Sequence, residues 1–364
     1  MKVALDTLAP VDEKKISPDY VRISAASAMA LRMQSGRFSR DFDFGGINIL
    51  LNYDNGCLSD CSYCGLARTR PGSYEDKSFI RVEWPLVSMD ELVDRMAEHE
   101  DKLTRLCISM VTHGSAYKDT VELTRKIVAK VKTPLSLLIA PPVLNREKLQ
   151  VFKDLGVDMI GVGLDAITEE TFIKHRTDVP NGSLKWDNYW DIIHASRDIF
   201  GPGKVNIHTV VGLGESDKEM IDMFYYLDER QILPYMFSFN PEAESRLANW
   251  PKASQTKWRR IQLVKHLIEN YGLQADSLSY DAEGKLTGIQ ADDIKVNEVL
   301  NSLDGGVPFM TDGCPIEGGS EAGCTRPYGS YRPSEPFRDF PFQPEADDMG
   351  LIREELALDE IWNK

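Results

Sequence analysis

From residue 47 onward the chain alternates between two patterns, and that alternation most constrains its fold. Apolar, β-branched runs occur at 47–52, 106–111, 135–139, 159–163, 205–211 and 235–239. Between and after them lie amphipathic stretches of helical period at 89–99, 117–131, 145–155, 186–199, 218–230 and 257–270. A run of apolar residues bounded by turns reads as a strand buried on both faces, and a 3.6-residue period reads as a helix with one buried stripe. Strand and helix in strict alternation demand a parallel sheet joined by right-handed crossovers. Six such units give an α/β fold, a partial (β/α)6 TIM-like barrel rather than the eight-unit closed form. Residues 1–46 read as a polar leader and a helix over 20–33. Residues 272–364 read as an extension with a hairpin at 278–290 turning at Glu283-Gly284, a short helix near 292–303, and a last helix around 351–362.

Three cysteines follow the first predicted strand. The run CLSDCSYC places Cys57, Cys61 and Cys64 on one loop, where a β/α barrel carries its chemistry. Three thiolates at this spacing can hold three corners of a four-iron cluster and leave the fourth iron open. A zinc knuckle would ask for a second Cys or His pair at a set distance, and none follows. Three more cysteines lie apart from these. Cys107 sits in the second strand run, within LCISMVTHG, where a lone thiol is ordinarily core. Cys314 and Cys324 stand in GCPIEGGSEAGCTRPYGSYRP, rich in Gly and Pro. Together the three can serve a second iron–sulfur cluster; a zinc site or a redox pair is the alternative.

Composition sets limits. The net charge of −15 argues against a general nucleic-acid binder. No run approaches 18 apolar residues, and no basic-then-apolar signal opens the chain, so no membrane role is expected. Six cysteines without a disulfide-like framework suit a reducing, cytoplasmic location.

The CLSDCSYC loop, with Tyr63 before its last cysteine, resembles the radical S-adenosylmethionine (SAM) superfamily. LCISMVTHG, GVGLDAITEETFIKHRT and KVNIHTVVGLGES resemble the biotin-synthase-like branch of it, over roughly residues 18–245. That branch carries further cluster cysteines in its third and fifth strands, where this chain has LSLLIA and Asn206. The tail, Cys-Pro followed by Cys-x-Arg-Pro-Tyr and a later Arg-Pro, is similar to the two-protein lipoyl synthases, with residues 317–323 as an insertion. The resemblance implies a lipoyl synthase subunit that inserts sulfur at C6 or C8 of an octanoyl chain on a carrier-protein lysine. Sulfur would come from an auxiliary [4Fe-4S] cluster held by Cys107, Cys314 and Cys324. It also implies a SAM-binding [4Fe-4S] cluster on Cys57, Cys61 and Cys64, and SAM itself. A second radical SAM subunit, the octanoylated lipoyl carrier protein and a ferredoxin- or flavodoxin-type electron donor would be the partners. A biotin-synthase-like enzyme acting on another substrate and a non-catalytic iron–sulfur subunit are the rivals.

The same resemblance assigns SAM contacts. Tyr63 would back the adenine, Thr112 and Gly114 would meet the methionine amino group, and Asp165 the ribose hydroxyls. Arg176 would reach the SAM carboxylate, and Gly212 and Gly214 would let a loop approach the adenine. Asp165 can instead be a helix N-cap, and Arg176 a solvated helix-end charge. Asn206 and His208 share one face of their strand and are candidates to line the substrate channel; a satisfied core histidine is the plainer reading of His208. His113, beside the SAM turn, is the remaining active-site candidate. Arg326 and Tyr328 stand beside the last cysteine, where they would steer the extension onto the barrel mouth or contact the carrier.

Overall fold

The computed structural model describes residues 14–74, 77–180, 182–302, 305–316, 322–324 and 335–363. All six predicted strands are present, as β2 (Gly46–Leu51), β4 (Arg105–Ser109), β5 (Leu135–Ile139), β6 (Met159–Asp165), β7 (Val205–Val211) and β8 (Leu233–Ser238). They pair in parallel in the order β2-β4-β5-β6-β7-β8. Every residue of β2 is buried, as a strand covered on both faces requires. The crossovers are α2 (Met89–Glu98), α3 (Ala116–Val128), α4 (Arg146–Asp154), α6 (Trp186–Phe200) and α7 (Asp217–Asp228), with α8 (Gln255–Tyr271) after β8. Local sequence sets several of their starts: Ser88, Asn145, Ser216 and Ser254 each accept a hydrogen bond from the third helical N–H of α2, α4, α7 and α8.

The N-terminal segment departs from the expected helix. Tyr20–Ile23 is a strand, β1, and only Ala25–Ala30 (α1) is helical. β1 runs antiparallel to β2 and to a three-residue strand, β3 (Leu86–Ser88), so the sheet gains two strands at one edge. Its Arg22 explains the choice. The guanidinium is buried and donates to the carbonyls of Trp84, Tyr74 and Lys77 (2.9, 3.2 and 2.9 Å). A helix would not aim it there. β3 and β8 stay at opposite ends of the strand order, so the barrel is open.

Two further elements differ from the expected pattern. A short helix, α5 (Glu169–Phe172), runs into a π-helical turn at Ile173–Thr177. In the extension, β9 (Leu278–Tyr280) and β10 (Leu286–Ile289) form the hairpin, and α9 (Val296–Asn301) the short helix. The last helix, α10, is Ala346–Leu356; beyond it Trp362 forms a bridge to Ile289 instead of continuing the helix. A second core packs α8 against α10 and the hairpin, with Trp258 fully buried and donating to the Arg338 carbonyl (2.6 Å).

The described part of the extension that carries cysteines sits at the N-terminal end of the barrel, not over the mouth. Pro315 offers its carbonyl to Arg105, the first residue of β4, and Gly323 its carbonyl to Thr104. Asp312 caps the open edge of β8 by accepting from the Met236 N–H (2.8 Å), which blunts an otherwise bare strand edge. Arg326, Tyr328 and most of the 317–323 stretch lie outside the described residues. Among the described residues no helix is long and apolar enough to cross a membrane.

Candidate active site

The loop after β2 is fixed from three directions. The Leu58 N–H donates to the Thr112 carbonyl beyond β4 (2.8 Å). Asp60, its side chain fully buried, accepts from the Thr69 N–H (3.0 Å), the Thr69 hydroxyl (2.8 Å) and Arg246 (3.0 Å). Burial works to raise that carboxyl, but these donors outweigh it and hold it below the usual carboxylate range. The third tie is His175, in the π-helical turn. Its Nε2 lies 2.9 Å from the Leu213 carbonyl, which can only accept, so Nε2 carries the proton. Nδ1 therefore accepts from the Ser62 hydroxyl (2.8 Å), and burial lowers the imidazole so that it stays neutral. One ring thus ties the cysteine loop to the loop after β7.

Below this loop the lumen holds a cavity of 280 Å³, and all six cysteines line it. Thr112, Tyr63, Asp165 and Arg176 line it near Cys57, Cys61 and Cys64; Asn206 and His208 line it with Cys107, Cys314 and Cys324. His113, Gly114, Gly212 and Gly214 stand outside the lining. His113 instead stacks on Tyr53, centroids 3.8 Å apart, and its Nδ1 accepts from the Ser115 N–H. The Gly-Leu-Gly turn follows its own logic. Gly212 and Gly214 have φ of +113° and +119°, and Glu215 folds back to accept the N–H groups of Gly212 and Leu213 (2.7 and 2.9 Å). These glycines shape a loop; their contact with a ligand is not part of the geometry.

Asp165 and Arg176 take up positions that the sequence left open. Thr168, not Asp165, caps α5. Asp165 sits at φ +58° beside a bulge in β6, and its carboxylate accepts from the Tyr63 hydroxyl (2.6 Å). Arg176 is no solvated charge: it is buried and donates to the carbonyls of Gly163 and Leu164 (2.5 and 2.7 Å) and to the Tyr189 hydroxyl (2.9 Å). Its guanidinium carbon also lies over the Tyr189 ring at 4.7 Å. Arg176 therefore closes the end of β6 and keeps only Nε unpartnered.

At the floor the tail cysteines meet β4 and β7. The Cys314 N–H donates to Cys324 Sγ (3.0 Å), and Asn206 Nδ2 lies 3.5 Å from Cys314 Sγ. Gly161 makes room for that carboxamide, since a Cβ there would stand 2.8 Å from Asn206 Oδ1. The hydrogen bond with Cys324 lowers the Cys314 thiol, with help from Ser136, Arg105 and Tyr235, while Cys324 is raised in turn. Arg105 is the organiser. Fully buried, it donates to the Pro315 carbonyl (2.5 Å), the Ser136 hydroxyl (2.8 Å) and Asp158 (2.8 Å), which also holds Lys204 (2.7 Å).

The residues present suit the cofactors that the cysteine pattern implies. Burial first, then the neighbouring cysteines, raise Cys57 and Cys64; bound iron would supply the positive charge that holds such thiols as thiolates. Buried Arg176 Nε has no partner, and Arg176 lines the same cavity. Unpaired buried polar atoms are costly and call for a ligand group or water. Cys57, Cys61 and Cys64 would hold a four-iron cluster, with Tyr63, Thr112, Asp165 and Arg176 around a bound nucleoside and amino acid. Among the described residues no three His, Cys, Asp or Glu side chains converge on one point for a single ion; a cubane places each thiolate on its own iron.

Asp60, Arg105, His175 and Glu242 were not singled out from the sequence. Glu242 accepts from Ser78 (2.9 Å) and the Arg81 N–H (2.5 Å), fastening the strand-like turn at the cavity mouth. Asp60 and His175 stood in quoted motifs, and nothing in their spacing distinguished them.

Residues 51–227 match the profile of the Radical SAM superfamily. An uncharacterized protein of Methanocaldococcus jannaschii is 27% identical over 217 residues, covering 57% of this chain and 52% of its own. A biotin synthase of Acaryochloris marina is 22% identical over 180 residues, covering 48% and 47%. The chain thus spans about half the length of the curated relatives it matches. Among solved structures, the FeFe-hydrogenase maturase HydG of Carboxydothermus hydrogenoformans overlays with a TM-score of 0.46 at 18% identity, covering 67% of this chain and 56% of that one. Methylornithine synthase overlays at 0.45 and 15%, covering 66% and 67%.

Proposed function

We propose that this chain, which carries a radical SAM superfamily domain across residues 51–227, is a sulfur-inserting enzyme of the lipoyl synthase type. It would act at C6 or C8 of an octanoyl chain on a carrier-protein lysine, beside a second radical SAM subunit and a reducing ferredoxin or flavodoxin. One observation carries the reading. Cys107, Cys314 and Cys324, drawn from places up to 217 residues apart, line the same cavity as Cys57, Cys61 and Cys64. The arrival of Cys314 and Cys324 beside Cys107, by way of an extension pinned by Arg105, supports a second cluster over a stray core thiol.

When bound, the first cluster with SAM supplies a 5′-deoxyadenosyl radical able to take hydrogen from unactivated carbon, and the second supplies sulfide. The chain's own part is positioning. Asp60, Ser62 and His175 hold the upper cysteines still, and Arg105 holds the lower ones. Leu50, Met110, Leu138, Ile139, Val210 and Phe237 line the space between them. An alkyl chain gains about 0.8 kcal/mol per methylene buried against such a wall. Asp165, fixed by Tyr63, faces the cavity as an acceptor for sugar hydroxyls.

The test is a single anaerobic turnover with an octanoyl-lysine peptide or carrier, SAM, reductant and the partner subunit. The reading expects 5′-deoxyadenosine, a mass gain of sulfur on the peptide, and a matching loss of acid-labile sulfide from this chain. Deoxyadenosine formation with sulfide unchanged would reject sulfur insertion and leave a radical SAM enzyme of other substrate.

A further inference from the structure

Two carboxamides flank the lower cysteines. Asn48, on β2, stands in direct register with Cys107 on β4, and Cys107 in register with Ser136 on β5. All three line the cavity, so Asn48 and Cys107 are neighbours on one face of adjoining strands. Asn48 is buried to 4% exposure, and its Nδ2 has no hydrogen-bond partner. On the other side, Asn206 is wholly buried and directs Nδ2 at Cys314 Sγ. A buried amide N–H left without an acceptor is costly. Oxygens such as the Ser109 and Ser136 hydroxyls line the same cavity, yet none of them is bonded to the Asn48 amide. Each amide has a cysteine beside it: Cys107 in register with Asn48, and Cys314 Sγ 3.5 Å from Asn206 Nδ2.

We infer that Asn48 and Asn206 are N–H donors to the sulfur atoms of the auxiliary cluster, setting its reduction potential above that of an otherwise identical site in an apolar pocket. The inference rests on the proposed second cluster. Hydrogen bonds to cluster sulfurs, with net charge and solvent exposure, are what tune such potentials. An N–H dipole aimed at sulfur stabilises the more negative, reduced form, so it makes electron uptake easier. Arg105 acts in the same sense from beneath, through Ser136, but its charge is shared with Asp158. The two asparagines are positioning residues for charge at the lower site.

The experiment is an anaerobic redox titration of the reconstituted full chain, monitored by EPR. Wild type is compared with Asn48→Leu, Asn48→Ala, Asn206→Leu and Asn206→Ala. The leucine fills the space and the alanine leaves it, so a shift common to both reports the lost donor and not packing. Should a variant at one position fail to fold, the Leu and Ala pair at the other position still gives the reading. The signal belonging to the lower site is identified as the one absent from the Cys107→Ala/Cys314→Ala/Cys324→Ala protein. The inference expects the midpoint of that signal to move to more negative potential in both substitutions at each position, while the other signal stays fixed. An unchanged midpoint, or an equal shift in both signals, would overturn it and leave the second cluster standing. A wild type with a single cluster signal would remove the proposed second cluster and this inference together.

Discussion

Replacing Arg105 with Met keeps the aliphatic stem and removes the guanidinium that pins the extension to the floor of the barrel. Its pair with Asp158 counts for little in the balance. Asp158 retains 29% exposure and the ammonium of Lys204 at 2.7 Å, so it is not left buried and unpaired. The Pro315 carbonyl and Ser136 hydroxyl are different, because each loses a charged donor, the first at a half-buried site and the second at a buried one. At about 1.5 kcal/mol for each such bond, the loss is about 3 kcal/mol. An unfolding entropy proportional to length converts this, for a chain of 364 residues, into a melting point lower by about 4 °C. The second consequence is selective. With the extension released, Cys314 and Cys324 no longer face Cys107, so iron bound by the lower site should fall while iron on Cys57, Cys61 and Cys64 remains. Differential scanning calorimetry and iron counts on the same anaerobic samples measure both. A melting point within 1 °C of wild type would refute the energetic argument. A lower melting point with full iron content would refute the claim that Arg105 positions the lower cysteines.

Three further outcomes follow from the same geometry. His175 is neutral because its folded value lies below the unfolded value of about 6.5; the unfolded chain then binds more protons, so its stabilisation is full above about pH 6.5 and is lost as pH falls toward the folded value. Melting points taken from pH 7.5 downward should fall less steeply in His175→Gln, and identical slopes would place the pH dependence elsewhere, His113 being shifted in the same direction. Asp60→Ala strips the cysteine loop of three anchoring donors, so reconstitution should leave the upper site short of iron while the lower site fills normally; equal loading of both sites would contradict it. Tyr63→Phe frees the Asp165 carboxylate from a 2.6 Å hydrogen bond, and the loss of about 1 kcal/mol of orientation should weaken SAM binding about fivefold by calorimetry. Unchanged affinity would take Asp165 out of the SAM site.

The barrel was legible because its strands are buried on both faces and therefore written as unbroken apolar runs, as GINILL in β2 shows. β1 was hidden by the Ala- and Ser-rich segment that follows it, which has the composition of a helix but yields only six helical residues. The cysteines named the site, but not which end of the barrel each would occupy. That depends on Pro315 meeting Arg105 across 210 residues, a pairing with no local signature. Arg176 makes the same point. Its spacing allowed a ligand contact or a solvated charge, and the fold instead spends it on two strand-end carbonyls and a tyrosine. Residues that position others through long-range hydrogen bonds leave no period in sequence, whereas thiols clustered on a loop do.

The most direct measurement counts iron and sulfide after anaerobic reconstitution of three proteins. These are wild type, Cys57→Ala/Cys61→Ala/Cys64→Ala and Cys107→Ala/Cys314→Ala/Cys324→Ala. Two four-iron sites in one cavity predict about eight irons in wild type and about four in each triple variant. About four irons in wild type, unchanged by loss of the three lower cysteines, would contradict the account.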